Sequence, residues 1–161
     1  MMGRAVMTTA LVVAAALAAT TACDATAQAT GTDYAPASAG IRELTLGSGT
    51  IIRLLLAAEN LGSNEIEVAE ITFPVGTAPS GGHRHGALEI FYVVEGVLGH
   101  VVNGVEHRLE PGMVGVVRSG DEVVHRVLTD VPVKAVVLWV PGGEADRLAP
   151  ADRWTRIGGG R

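Results

Sequence analysis

Between Gly82 and Gly96 the chain reads GHRHGALEIFYVVEG. His83 and His85 stand one residue apart, and Glu89 follows before an apolar run that ends at Gly96. Side chains alternate between the two faces of a strand. A continuous strand would therefore turn His83, His85, Glu89 and Phe91 to one side. Two imidazoles and a carboxylate converging inside a β-structure are donors of the kind that hold a divalent transition metal. His125, in the later run VVHRV, can supply a fourth from across the fold. An unpartnered buried carboxylate is costly, and coordination to a cation is one of the few ways to offset that cost. The plainer alternative is a strand whose polar residues are solvated or satisfied within the core.

The elements that must position these residues are short β-branched runs: RLLLAAE, EIEVAEITF, LEIFYVVE, VLGHVV, VEHRL, VGVVR, VVHRVL and VKAVVLWV. Gly, Pro and Asn-Gly separate them at intervals of roughly 8–12 residues, the spacing of an all-β sandwich or barrel. EADRLA offers one short helical turn. Asn103-Gly104 is a strong hairpin signal, because a type I′ turn needs positive φ at both central residues. It predicts Val102 opposite Val105, Val101 opposite Glu106 and His100 opposite His107. Glu95-Gly96 predicts a second hairpin, with Val94 opposite Val97 and Phe91 opposite His100. One face then carries Glu89, Phe91, Val93, Leu98, His100, Val102, Val105, His107 and Leu109, and its apolar character predicts that it points inward. Tyr92 falls on the outward face. His100 and His107 are thereby candidates to bond substrate or act as acid–base groups beside the metal ligands. Their plainer role is a cross-strand pair at the far end of the barrel.

These residues and spacings resemble the cupin superfamily, small β-barrels marked by two motifs. The first, G-x5-H-x-H-x3,4-E-x6-G, is met by Gly76, His83, His85, Glu89 and Gly96, with six residues rather than five after Gly76. The second, G-x5-P-x-G-x2-H-x3-N, is met more loosely. Its turn resembles Pro111–Met113, and its glycine and histidine resemble Gly120 and His125, here separated by four residues, with Thr129 where asparagine is common. The likeness spans Glu65 to Val140. It implies an all-β fold, a single jelly-roll-like cupin barrel, and a ligand set of His83, His85, Glu89 and His125. It also implies a metal drawn from iron, manganese, nickel, zinc, copper and cobalt, most of which accept imidazole and carboxylate. The activity it suggests first is a metal-dependent enzyme of oxygenase type, acting on a small organic molecule. Metal-dependent isomerase or lyase chemistry and a non-catalytic small-ligand or metal-binding module are the alternatives. A homodimer is compatible with it.

Twelve Lys and Arg against seventeen Asp and Glu give a net charge of −5 without a basic run, so nucleic acid is not an expected partner. No Ser–His–Asp or Cys–His arrangement and no glycine-rich phosphate loop is recognisable. At the N-terminus, Arg4 precedes AVMTTALVVAAALAA, which is free of acidic residues. This run is shorter than the roughly 20 residues of a bilayer span. The small residues after it complete a secretory signal over residues 1–27, or a lipoprotein signal ending before Cys23, whose lipidation would anchor the chain. The expected location is periplasmic, cell-envelope or extracellular. Cys23 is the lone cysteine, so no intramolecular disulfide can form. Residues 28–40 read as a tether, 41–148 as the barrel and 149–161 as a C-terminal tail.

Overall fold

A computed structural model describes residues 38–77 and 81–157. The export signal, Cys23 and most of the tether lie outside the described residues. Eleven strands among the described residues build two antiparallel sheets. They are β1 (Arg42–Thr45), β2 (Ile51–Leu56), β3 (Glu67–Phe73), β4 (His83–Arg84), β5 (Leu88–Glu95), β6 (Leu98–Val102), β7 (Val105–Leu109), β8 (Val114–Val117), β9 (Glu122–Val127), β10 (Val133–Val140) and β11 (Thr155–Arg156). The larger sheet runs β11-β1-β2-β3-β10-β5-β8, the smaller β4-β9-β6-β7. Short helices α1 (Ala58–Leu61) and α2 (Glu144–Leu148) decorate the ends. The all-β sandwich or barrel expected from the spacing of the apolar runs is the class of fold observed.

Alternation dictates which residues form the core. In β3 and β10 every second side chain is buried, placing Ala69, Ile71 and Phe73 beside Val133, Ala135, Val137 and Trp139 on the inner face. In β5 the same period buries Glu89, Phe91 and Val93 and leaves Tyr92 exposed, as its parity requires. Removing such apolar surface from water is the main stabilising term, at about 25 cal/mol per Å².

The Asn103-Gly104 turn sets the register predicted for it. Asn103 and Gly104 have φ of 49° and 82°, and β6 pairs with β7 with Val102 opposite Val105, Val101 opposite Glu106 and His100 opposite His107. The Asn103 side chain also accepts from the Glu122 N–H at 3.0 Å and donates to Asp121 at 2.8 Å, fixing the turn against the start of β9. A Cβ on Gly104 would meet nothing within 4 Å, so the cost of Gly104→Ala is backbone strain alone. It is expected to lower unfolding free energy by about 1–2 kcal/mol in urea denaturation, and an unchanged midpoint would show that the turn can relax.

Two sequence expectations are corrected. Glu95-Gly96 does not close a hairpin: β5 lies between β10 and β8, and β6 lies between β9 and β7 in the other sheet. Gly96, at φ 73°, is a crossing point, packed so that a Cβ would fall 2.6 Å from the Pro132 carbonyl oxygen. A two-residue turn signal cannot tell a hairpin from a passage between sheets, because both need the same positive φ. Phe91 and His100 consequently meet across the interior, ring centroids 5.8 Å apart, rather than as paired neighbours. Nor is the segment from His83 to Glu89 one strand. His83 pairs with Val123 in the smaller sheet, while Glu89 pairs with Trp139 and Val117 in the larger.

The inward face also ends sooner than expected. Val105 and His107 are exposed on β7, the edge strand of the smaller sheet. At the C-terminus, the segment read as a tail returns to the body. Trp154 is buried beneath the Arg42 guanidinium, 5.0 Å from the ring centroid, and Thr155 and Arg156 pair with Glu43 and Arg42.

Candidate functional site

The crossing from β4 to β5 assembles the site. His85 is held between the sheets by its carbonyl, which accepts from Gly120 N–H at 3.0 Å, and by Ser119, whose hydroxyl donates to Gly86 O at 2.9 Å. His125 comes from β9, directly opposite His100 in the register. His83, His85, Glu89 and His125 all line one cavity of about 150 Å³. The rings of His83 and His85 stand edge to face at 4.8 Å, and those of His83 and His125 lie 5.8 Å apart. The rest of the wall is mostly apolar, including Ile52, Ile71, Phe73 and Phe91.

Glu89 is 1 % exposed, and its Oε2 accepts from the Trp139 indole at 2.8 Å. His85 Nε2 approaches the same oxygen at 2.9 Å, but out of line for a hydrogen bond. On its other side, His85 Nδ1 lies 3.2 Å from Glu144 Oε2, and the second Glu144 oxygen accepts from the Gly86 N–H at 2.9 Å. Glu144 is itself buried. His85 therefore lies between two carboxylates at ion-pair distance, Nδ1 toward Glu144 and Nε2 toward Glu89. Three buried atoms of the cluster then lack a hydrogen-bond partner: His85 Nε2, Glu89 Oε1 and His125 Nε2. Buried polar atoms are normally paired, so three orphans around one cavity mark a place that expects an occupant.

The electrostatics differ from ring to ring. Burial, reinforced by His100, His83 and His85, pushes His125 well below the ordinary histidine value and keeps it neutral. Although half-buried as a residue, His125 has its Nε2 closed off from solvent. His83 is exposed at the mouth, yet partial desolvation of its ring, with His85 nearby, lowers its pKa against the opposing pull of Glu89 and Glu144. His85 moves the other way: burial pulls it down, but Glu89 and Glu144 together more than offset that and raise it.

The structure thus brings together all four residues expected to be ligands. It gathers them without closing them into a cage: among the described residues, no group of three or more His, Cys, Asp or Glu stands in metal-holding geometry. Glu89 is turned toward Trp139, and His83 leans on His85. The donor types, three imidazoles and a carboxylate with an oxygen that lacks a hydrogen bond, nevertheless fit a divalent transition metal in chemistry.

His100 and His107 separate. His100 is fully buried against Phe91 and His125, the latter ring 5.2 Å away, and burial lowers its pKa. His107 is exposed on the edge strand and is not brought to the cluster. The residue that sequence reasoning missed is Glu144. Its place depends on Gly142, where a Cβ would fall 2.7 Å from Asn64 Oδ1, and on buried Glu67, whose Oε2 accepts from the Ala145 N–H at 2.9 Å. Nothing in spacing links Glu144 to His85, since 59 positions separate them.

The cupin domain family matches residues 69–141 of the chain. Among curated proteins, none matches in sequence. Among solved structures, KdgF from a Halomonas species is similar at a TM-score of 0.55 and 19% identity, over 64% of this chain and 88% of that one. An RmlC-like cupin from Shewanella frigidimarina is similar at 0.54 and 22%, over 65% and 87%. A protein described as a predicted oxalate decarboxylase, from Thermotoga maritima, is similar at 0.54 and 20%, over 63% and 92%. At these identities the likeness is one of fold.

Proposed function

Because the chain contains a cupin domain, we propose that it is an exported metalloprotein whose barrel carries out metal-dependent chemistry, oxygenase-type first, on a small organic molecule. The observation that carries this reading is the trio of partnerless buried donor atoms, His85 Nε2, Glu89 Oε1 and His125 Nε2, around the cavity that His83 also lines. A cation held by His83, His85, Glu89 and His125 would polarise a substrate oxygen or, if redox-active, support oxygen chemistry. The chain's own residues do the rest. Glu144 holds the Nδ1 side of His85 and so sets the direction of the ring. Trp139 holds Glu89 by one oxygen and leaves the other toward the cavity. Phe73 and Phe91, with ring centroids 5.2 and 4.7 Å from that of His125, keep water from its inner side.

The cavity suits a substrate with an apolar body and an oxygen function. At about 150 Å³ it matches the size of engineered protein cavities that accept benzene. Ser48, Thr50 and Thr77 add hydroxyls to the wall, beside the four ligand candidates and the apolar side chains. The description of the Thermotoga neighbour adds small oxygen-rich acids to the compounds worth trying. Export rests on the N-terminal apolar run and the small residues after it. N-terminal sequencing of the mature protein tests it, since a chain that retains Met1 removes it.

Metal analysis of purified protein, followed by oxygen uptake and product detection with enols, diketones, phenolics and small acids, tests the activity. Stoichiometric metal with turnover supports the enzyme. Tight binding of a compound recovered unchanged, with no turnover by any metal form, supports the non-catalytic binding module instead. Glu144→Gln probes the site without removing a ligand. It is expected to weaken metal binding by about 10–100-fold, the range for losing a group that orients a ligating histidine, while melting stays near wild type. Unchanged affinity in a calorimetric metal titration would show that His85 needs no such support.

A further inference from the structure

An antiparallel strand with one face on the core and the other in water alternates apolar and polar residues. β10 does not: after Lys134 it runs AVVLWV, apolar at every position. Its neighbours β5 and β8 break the alternation at the same place. Leu138, Ile90 and Val116 stand side by side in one row across the three strands, and Val136, Tyr92 and Val114 in the next. The residues between them, Val137, Phe91 and Val117, are buried in the core, so both rows face outward. Val114, Val116 and Tyr92 are 52 %, 48 % and 45 % exposed. Val140 and Leu88 add a third row on β10 and β5. Rows about 6.8 Å apart on strands about 4.8 Å apart cover roughly 300 Å² in plan. A continuous apolar patch of that size marks an interaction surface on a soluble chain.

We propose that this outer face of β10, β5 and β8 seats a second copy of the chain, the two large sheets packed face to face about a two-fold axis. The rows carry no charge, and at the β3 border Lys134 and Glu70 stand 3.6 Å apart and neutralise each other. A strongly charged partner therefore has little to pair with. An uncharged apolar face is complementary to itself, as a two-fold interface requires. Aligned sheets pack about 10 Å apart with their side chains interdigitated. In size the patch suits the apolar centre of an interface of about 800 Å² per partner, with Glu70, Lys134 and Glu95 in the polar rim. The chain's own tails are poor covers. Both described ends lead from β1 and β11, at the opposite edge of the large sheet from β8. Residues 28–37 hold one large apolar side chain, Tyr34, and residues 158–160 are glycine. The metal-ligand candidate Glu89 lies on the inner face of β5, so the interface stands whether or not the barrel binds metal.

Sedimentation of the purified chain, with its N-terminus read by intact mass, tests this. A dimer is expected at about 100 µM, dissociating on dilution through the micromolar range. Tyr92→Arg and Val114→Arg each place a charge at an outward position. Either should raise the dissociation constant at least about 30-fold, the effect of losing an interface hot spot, with circular dichroism unchanged. If one of them fails to fold, the other still decides. Val105→Arg, at an exposed position of the smaller sheet, should leave the dimer intact. Any of four results overturns the proposal. A wild-type monomer at the same concentration removes the dimer, and a dimer indifferent to both arginines places the contact elsewhere. A monomer that pairs only once retained residues 1–27 are cut away gives the face to the chain's own N-terminal run. A monomer that sediments with phosphatidylcholine vesicles gives it to a membrane.

Discussion

Glu89→Gln is expected to abolish stoichiometric metal uptake while leaving the fold intact. Glutamine keeps the volume of a side chain that is 1 % exposed and can still accept from the Trp139 indole. What it loses is the negative charge and the second carboxylate oxygen, the only anionic donor among the four proposed ligands. Affinity should fall by more than the roughly 10–100-fold that supporting groups contribute. The metal-free variant should melt within a few degrees of wild type, because one neutral hydrogen bond replaces a charge-assisted one. Metal analysis and thermal melting of the same preparation separate the two effects. Full metal content in Glu89→Gln would remove the four-ligand site, and loss of metal together with collapse of the fold would make Glu89 structural.

How much of this could be read beforehand differs between fold and site. Alternation in LEIFYVVE identified the buried residues of β5, because a sheet with one face on the core imposes period two, and β3 and β10 obey the same period. Asn103-Gly104 gave the β6–β7 register because its backbone requirement is local. The β5–β6 connection was not legible: whether the chain turns back or crosses at Gly96 depends on Pro132 and Val133, which pack against it from a distant segment. The same limit applies to the site. His83, His85 and Glu89 lie close in sequence and their grouping shows in their spacing, although they straddle two sheets. Glu144 reaches His85 only through the tertiary packing of α2, and the exposure of His107 depends on which strand β7 lacks as a neighbour.

Trp139 carries the second large effect, because it belongs to both the core and the site. Its ring is 1 % exposed and its partners across β3 and β5 are two buried glutamates, Glu67 and Glu89. Trp139→Ala removes a large buried ring and is expected to cost about 3–5 kcal/mol, much of the roughly 5–15 kcal/mol that holds a domain together. Trp139→Phe isolates the indole N–H: the aromatic volume largely remains, but Glu89 Oε2 loses its hydrogen bond, at about 1.5–3 kcal/mol for a bond to a charged acceptor. Urea denaturation of the metal-free protein measures both. The decisive comparison repeats Trp139→Phe in the Glu89→Gln background, where the acceptor is neutral and the same change should cost about 0.5–1.5 kcal/mol. An equal cost in both backgrounds would mean that the indole does not hold the carboxylate, and that Glu89 keeps its free oxygen toward the cavity by packing alone.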